Sequence, residues 1–450
     1  MALSALVHTR RALGGALLAL TLAVPALAAE PEPKLGEELT PFGAIRAANK
    51  NGTIPAWTGG MDEPPPEYVP GRHMRDPFFE DTRWFTVHTS ELERYKSRLS
   101  AGLVALLKTY PDSFEIPMFP TRRTSAAPQR IYDASIANAK RARLSENGLA
   151  VSGARGGIPF PMPKTGEQAM WNHILRWRGE TGVRTAAIAI PDEGGHSTPV
   201  LYREEWLSAY AAEQEGGPAL FHRRTGVRPA EVTGATLLIQ QSLNPLQRPP
   251  VLWYKPAGEK AVPVRAPDFA YDTPDPATGG LRTADMTDMF SGLLDRFDFH
   301  LVGRREMYVP YNAFRLNTPD LAVEEVFWSA HPNPTLLRYE LHRVWIVEAT
   351  LKRGLHHTFP RRVYYLDEDS WQILMAEHYD AQGELARYAE AHGIPHPQVP
   401  VFLASKELTY DLTSGRYVVS GLDAAEQPPA FDKPLKPEDF APETLMPKRR

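Results

Sequence analysis

Fourteen histidines and no cysteine bound the chemistry that this chain of 450 residues can carry. Without thiols there is no disulfide, thiolate metal ligand, cysteine nucleophile or cysteine-linked lipid. His356 and His357 are adjacent, and His392 and His396 are four apart. Neither pair has a third ligand at a metal-site offset, and the chain has no His-Glu-x-x-His run. These four read as solvated or hydrogen-bonded structural histidines. His173, on a helix between Trp171 and Trp177, reads as a packed residue, and His342 alternates outward on a strand. A serine hydrolase needs a sharply presented Gly-x-Ser-x-Gly, and Val151-Ser152-Gly153 lacks the preceding glycine. No phosphate-loop pattern is present, and Gly153, Gly156 and Gly157 suit a special backbone turn before a proline run. Asp367-Glu368-Asp369 has carboxylates for acid–base work or calcium, but it lies between two strands and reads first as a turn. Asp295 and Asp298 are as readily ion-paired as catalytic. No catalytic residue, metal ligand or cofactor is expected from these patterns.

Arg343 breaks the pattern around it. It falls on the apolar side of a strand, between Leu341 and Trp345, where a charge needs a partner or a ligand. One reading pairs it with an acid such as Asp295 or Glu340. The other makes it the anchor for an anionic head group in an apolar cavity. In that case Tyr339, Leu341, Trp345, Trp253, Tyr365 and Trp371 would line the cavity, since aromatic residues offer large contact area at little entropic cost.

The elements that must position these residues follow from periodicity. Leu337 to Lys352 alternates with period two and predicts a long half-buried strand, bent or bulged along its length. Strand-like runs flank short turns at Glu368-Asp369-Ser370, Ala381-Gln382-Gly383, Leu412-Thr413-Ser414-Gly415 and Pro256-Ala257-Gly258-Glu259. Consecutive hairpins make an antiparallel meander. Helical spacing marks Ser90–Thr109, with Ser90 and Glu93 as a capping box, then Tyr132–Glu146 and Glu167–Arg178. The 43 prolines punctuate a loop-rich first part. Arg10-Arg11, an uncharged run from Ala12 to Ala23, and Ala26-Leu27-Ala28 form a secretory signal cleaved near Ala28. The organisation predicted is a signal peptide at 1–28, a loop-rich and helical segment at 29–178, an antiparallel domain at 179–426 and an extended tail at 427–450.

Several stretches resemble a bacterial family catalogued as domain of unknown function 1329. They begin with Leu39-Thr40-Pro41-Phe42-Gly43-Ala44, Gly52-Thr53-Ile54-Pro55-Ala56-Trp57-Thr58-Gly59-Gly60 and Tyr110-Pro111. Pro120-Thr121-Arg122-Arg123-Thr124, Gly157-Ile158-Pro159-Phe160-Pro161 and Trp171-Asn172-His173 with Leu175-Arg176-Trp177-Arg178-Gly179 follow. Leu294-Asp295-Arg296-Phe297-Asp298, Tyr308-Val309-Pro310-Tyr311-Asn312, Glu340-Leu341-His342-Arg343-Val344-Trp345 and Tyr364-Tyr365-Leu366-Asp367-Glu368-Asp369 complete the set. The resemblance spans nearly the whole chain after the signal, and the chain departs from it around Arg184–Gly217, which is shortened. That family is similar to the outer-membrane lipoprotein-sorting (LolA/LolB-like) proteins. The resemblance therefore implies an α+β, mainly antiparallel fold: a curved, half-open β-barrel with helices over its mouth and a long loop-rich N-terminal segment. It also implies a hydrophobic concavity that holds acyl chains, and service to envelope transport systems. It brings no catalytic residues.

With a net charge of −4, the chain has no basic field for nucleic acid or an anionic membrane. The expected role is a non-enzymatic periplasmic carrier or chaperone for a lipid-like or acylated ligand, without stable membrane insertion, with an envelope transporter or outer-membrane protein as a possible partner. A hydrolase acting on a hydrophobic ester, or an envelope scaffold, are the alternatives.

Overall fold

Short polar turns fold the C-terminal half of the chain back on itself in sequence order. The computed structural model describes residues 33–446 apart from 215, 259, 267–270, 320 and 432. The signal segment and its cleavage site lie outside the described residues.

The meander runs through β12 (Tyr339–Leu351), β13 (Arg361–Asp367), β14 (Ile373–Tyr379), β15 (Leu385–His396), β16 (Val401–Asp411) and β17 (Tyr417–Leu422). It continues through β5 (Thr181–Ala189), β6 (Val200–Ser208), β7 (Leu220–Arg228), β8 (Thr236–Gln241), β9 (Val251–Lys255) and β10 (Val264–Ala266). At the other end β12 meets β2 (Ile116–Met118), which pairs with β1 (Phe85–Val87), and β12 also pairs with β11 (Phe297–Pro310). Among the described residues the result is one open sheet of 15 strands, antiparallel except for a single parallel pairing of Tyr339 with Met118. A separate hairpin joins β3 (Arg143–Leu144) to β4 (Val151–Ser152). No helix among the described residues is long and apolar enough to cross a membrane.

Among the described residues five short α-helices accompany the sheet: α1 (Leu92–Tyr95), α2 (Ala101–Thr109), α3 (Gln129–Arg141), α4 (Gly166–Leu175) and α5 (Val323–Val326). The single helix predicted over Ser90–Thr109 is broken, because Leu99 is extended and Ser100 caps α2 by accepting from the Leu103 N–H. The first turn is closed by Glu91, which accepts from the His88 N–H, and not by Ser90 with Glu93. Leu103, Leu106 and Leu107 of α2 are fully buried in a core shared with Val344, Ile346 and Tyr388. Each such leucine contributes roughly 1.5–3 kcal/mol of burial. A second core joins Ala169 and Met170 of α4 to Trp345, Val347 and Tyr364. A side chain at Gly166 would strike the Phe299 backbone at 2.5 Å, so this glycine lets α4 start directly on β11.

The two cores correct the half-buried reading of β12. Arg338, Glu340 and His342 are buried, not solvated, because the segment around Arg122–Thr124 lies over them. The bulge expected in β12 is in its partner, between Leu301 and Gly303. The described residues of 427–446 lie along the sheet: Ala430 bridges Val183, and the Phe440 ring sits 5.5 Å from Phe221.

Candidate functional site

Arg343 ends on the turn between β13 and β14. Its Nη1 donates to Glu368 Oε1 at 3.3 Å, so its partner is Glu368 and not the expected Asp295 or Glu340. Arg304 reaches the other Glu368 oxygen at 3.1 Å, and Arg123 holds Asp369 at two points, 2.8 and 2.7 Å. Asp367 accepts from the Tyr311 hydroxyl at 3.0 Å and from the Ser370 hydroxyl at 2.6 Å. Tyr311 stacks on His342 at 3.9 Å, and His342 bonds Glu340 at 3.0 Å. Burial, then the Asp369 charge, raises Asp367 to about 6 and Glu368 to about 7. The candidate ligand atoms of His342, Asp367 and Asp369 lie within 4.8 Å of one another. A cation there would compete with Arg123 for Asp369 and with the Tyr311 and Ser370 hydroxyls for Asp367, while Arg304 and Arg343 hold Glu368 beside it. The group acts as an ionic joint between the N-terminal segment and the sheet.

The other residues singled out from the sequence divide among separate places. Trp345 and Trp371 stack at 6.1 Å beside this joint, with Arg304 over Trp345 at 4.3 Å. Tyr339 and Leu341 belong to the α2 core, as does Tyr365. There Tyr339 donates to Glu390 at 2.9 Å and Tyr365 to Glu377 at 3.0 Å. Trp253 packs on a third cluster with Phe221, Leu435 and Phe440. Arg343, Trp345 and Trp371 are thus brought together, and the remaining four are not.

A second set of charges gathers where β5, β6 and β7 pair. Arg184 faces Glu204 across the strands, and Glu204 faces Arg224. His222, opposite Trp206, sits among Glu204, Arg224, Arg178 and Arg184. Arg184 Nε donates to Glu204 Oε2 at 2.6 Å. The end of α4 adds Arg176 and Arg178, which share the Asp288 carboxylate. Arg282 bonds Glu407 at 2.9 Å, and Asp275 is shared by Arg224 and Arg282.

The side chains of Arg178, Asp288, Arg184 and Glu204 keep 26, 27, 18 and 18% of their surface reachable. Burial is nonetheless the largest influence on the ionisation of all four. Their partly reachable surface, on side chains that gather at the paired strands β5–β7 and the end of α4, places them around a recess on that face. Burial draws Arg178 down to about 10 against the pull of Asp288, and it lowers His222. It works against the Glu204 charge as well, but Arg184 prevails and holds that carboxyl at about 2. Glu407 is raised to about 7, by burial first and by the neighbouring Asp288 against the pull of Arg282.

A narrow apolar crevice of about 20 Å³ adjoins the charges. It is lined by Trp171, Ile174, Leu175, Leu220, Pro250 and Leu293 among others. Leu220 precedes His222 by two residues on β7, hence on the same face, and the Ile174 carbonyl accepts from Arg178 at 3.4 Å. Through Ala219 and Ser242 the crevice meets an open cleft of about 400 Å³ that includes Arg155, Tyr210 and Arg248. The arrangement is an apolar mouth over a charged floor. Sequence reasoning missed its floor, since Arg184 and Glu204 meet only once strand register is known.

Residues 86–446 match the family model described as "Protein of unknown function (DUF1329)". The chain is 36% identical over 431 residues to a Pseudomonas aeruginosa protein described as "Uncharacterized protein PA3922", covering 94% of each. Among solved structures it is similar to an outer membrane lipoprotein-sorting protein domain from Vibrio parahaemolyticus, at 14% identity and a TM-score of 0.42, over 62% of this chain and 97% of that one. It is also similar to a DUF1329 family protein from Desulfovibrio piger, at 14% identity and a TM-score of 0.41, over 60% of this chain and 92% of that one.

Proposed function

The chain belongs to the DUF1329 family, and from that premise and the geometry of the recess we propose that it is a non-catalytic carrier for a lipid-like or acylated ligand. The observation that carries this reading is the narrow apolar crevice of Trp171, Ile174, Leu220 and Leu293 leading into the cleft of about 400 Å³, which has the room for a chain. An alkyl chain seated there would gain roughly 0.8 kcal/mol per buried methylene. The reading places the ligand under the end of α4 and not along β12, whose two faces are both packed. The signal-like N-terminus supports export, and the reading puts the carrier in the periplasm, serving an envelope transport system.

The test is mass spectrometry of organic extracts from the full exported chain, together with titration of a fluorescent fatty-acid analogue. The expected outcome is a copurifying amphiphile and saturable probe binding that Leu220→Trp abolishes by filling the crevice. No extracted lipid together with no saturable binding would overturn the reading.

A further inference from the structure

We propose that the charged floor of the recess recognises an anionic head group, a carboxylate or a phosphate. This rests on the carrier reading and specifies its ligand. Five guanidiniums, from Arg176, Arg178, Arg184, Arg224 and Arg282, meet four carboxylates, from Glu204, Asp275, Asp288 and Glu407. The surplus is localised: Arg176 and Arg178 both lean on Asp288, and of the two Arg178 is the more accessible, with 26% of its side chain reachable against 1%. Arg224 holds Asp275 only at 3.3 and 3.5 Å, longer than a strong charge-assisted bond. His222 adds a ring among the arginines.

A surplus positive charge in a poorly solvated recess is best satisfied by an anion, and planar guanidiniums match carboxylate and phosphate oxygens at two points. The narrow apolar crevice next to Arg178 leads to the cleft of about 400 Å³, which supplies what a free anion would not use, a place for the attached chain. Head inward and chain toward Leu220 is the orientation that satisfies both ends.

The test compares dodecanoate, dodecyl phosphate, dodecanol and inorganic phosphate on the full exported chain by calorimetric titration. Both anionic amphiphiles are expected to bind about tenfold or more tightly than dodecanol, the return for a charge-assisted pair. Arg178→Gln leaves Asp288 paired with Arg176. It is expected to cost the anionic ligands about tenfold while dodecanol changes less than about twofold. The thermal midpoint of Arg178→Gln checks that it folds, and Arg224→Gln provides a second variant with the same expected pattern. Dodecanol binding as tightly as dodecanoate would overturn the head-group assignment and leave the carrier reading intact. Inorganic phosphate binding as tightly as dodecyl phosphate would overturn the carrier reading, because the chain would contribute nothing. Binding of none of the four would overturn both.

Discussion

Arg123 and Asp369 form a two-point ion pair, Nε to Oδ2 at 2.8 Å and Nη2 to Oδ1 at 2.7 Å, between residues 246 positions apart. Both side chains are only 2% exposed. The same guanidinium also reaches the Arg46 and Pro55 carbonyls, so one side chain ties two N-terminal loops to the turn between β13 and β14. Burial opposes the Arg123 charge, and Asp369 together with Glu368 and Asp367 more than offsets it. Arg123→Met is therefore expected to strand Asp369 without its partner, leaving Glu368 to Arg304 and Arg343, and to destabilise the fold by about 3–5 kcal/mol. Urea unfolding checks this. A loss under about 1 kcal/mol would show that the joint does not hold the N-terminal segment.

How much of this was legible in the sequence depended on whether the partner was local. The hairpins β13–β14, β14–β15 and β16–β17 were readable because Ser370, Gly383 and Gly415 mark their turns a few residues from both strands, whereas the turn between β15 and β16 has no glycine to mark it. The stretches that carry the family resemblance were readable too. Arg122-Arg123, Tyr311-Asn312, Glu340 to Arg343 and Asp367 to Asp369 turn out to meet in one place. What was not readable is which carboxylate each arginine takes. Arg343 has Glu340 three residues away and uses Glu368. The strands β6 and β7 carry Glu204, Arg224 and His222 on the face turned inward, so they lack the apolar alternation that marks a buried face. The face toward Leu207 and Phe221 is buried as well, beneath residues 435–445 that are distant in sequence.

Gly102 looks like a weak point in a helix, and the structure explains it. A Cβ there would lie 1.9 Å from the Tyr388 ring, so α2 approaches β15 through this glycine. Glu377 accepts from the Ala101 and Gly102 N–H groups and anchors the same helix end. Alanine is worth about 1 kcal/mol more than glycine in a free helix. In Gly102→Ala the clash should exceed that gain and destabilise by a net 1–3 kcal/mol or about that. A variant more stable than the parent in chemical denaturation would show that α2 is not seated on Tyr388.

His378 is fully buried, and neither ring nitrogen has a hydrogen-bond partner. Burial, with Arg362 nearby, holds it well below the ordinary imidazole value. An unfolded histidine gains a proton below about pH 6.5 and the folded one does not. Its contribution to stability is thus present above that pH and lost as the pH falls. His378→Leu is expected to be neutral or stabilising by about 1 kcal/mol at pH 7.5, since it removes an unsatisfied polar group. Its acid limb should be shallower, by up to about 1.4 kcal/mol per pH unit. Unfolding curves at pH 7.5 and pH 5 measure both, and parallel pH dependence in parent and variant would refute the assignment.

Asp367 carries the opposite sign. Its folded-state value of about 6 lies above the ordinary 3.8, so the native protein holds a proton that the unfolded chain releases. Stability from this group is present at low pH and falls as the pH rises from about 4 to about 6. Both hydroxyl bonds, from Tyr311 and Ser370, end on Oδ2, so an asparagine oxygen in that position can keep them. Its amide would then face the Asp369 N–H that Oδ1 now accepts at 3.3 Å, a pH-independent cost. Asp367→Asn should consequently be destabilising at pH 4 and gain on the parent by more than about 1 kcal/mol by pH 7. Glu368 has the same direction and remains in the variant, so the parent's slope is reduced and not abolished. A stability difference between variant and parent that stays constant from pH 4 to pH 7 would mean that Asp367 is ionised throughout and that the turn carries its full negative charge against Arg123, Arg304 and Arg343.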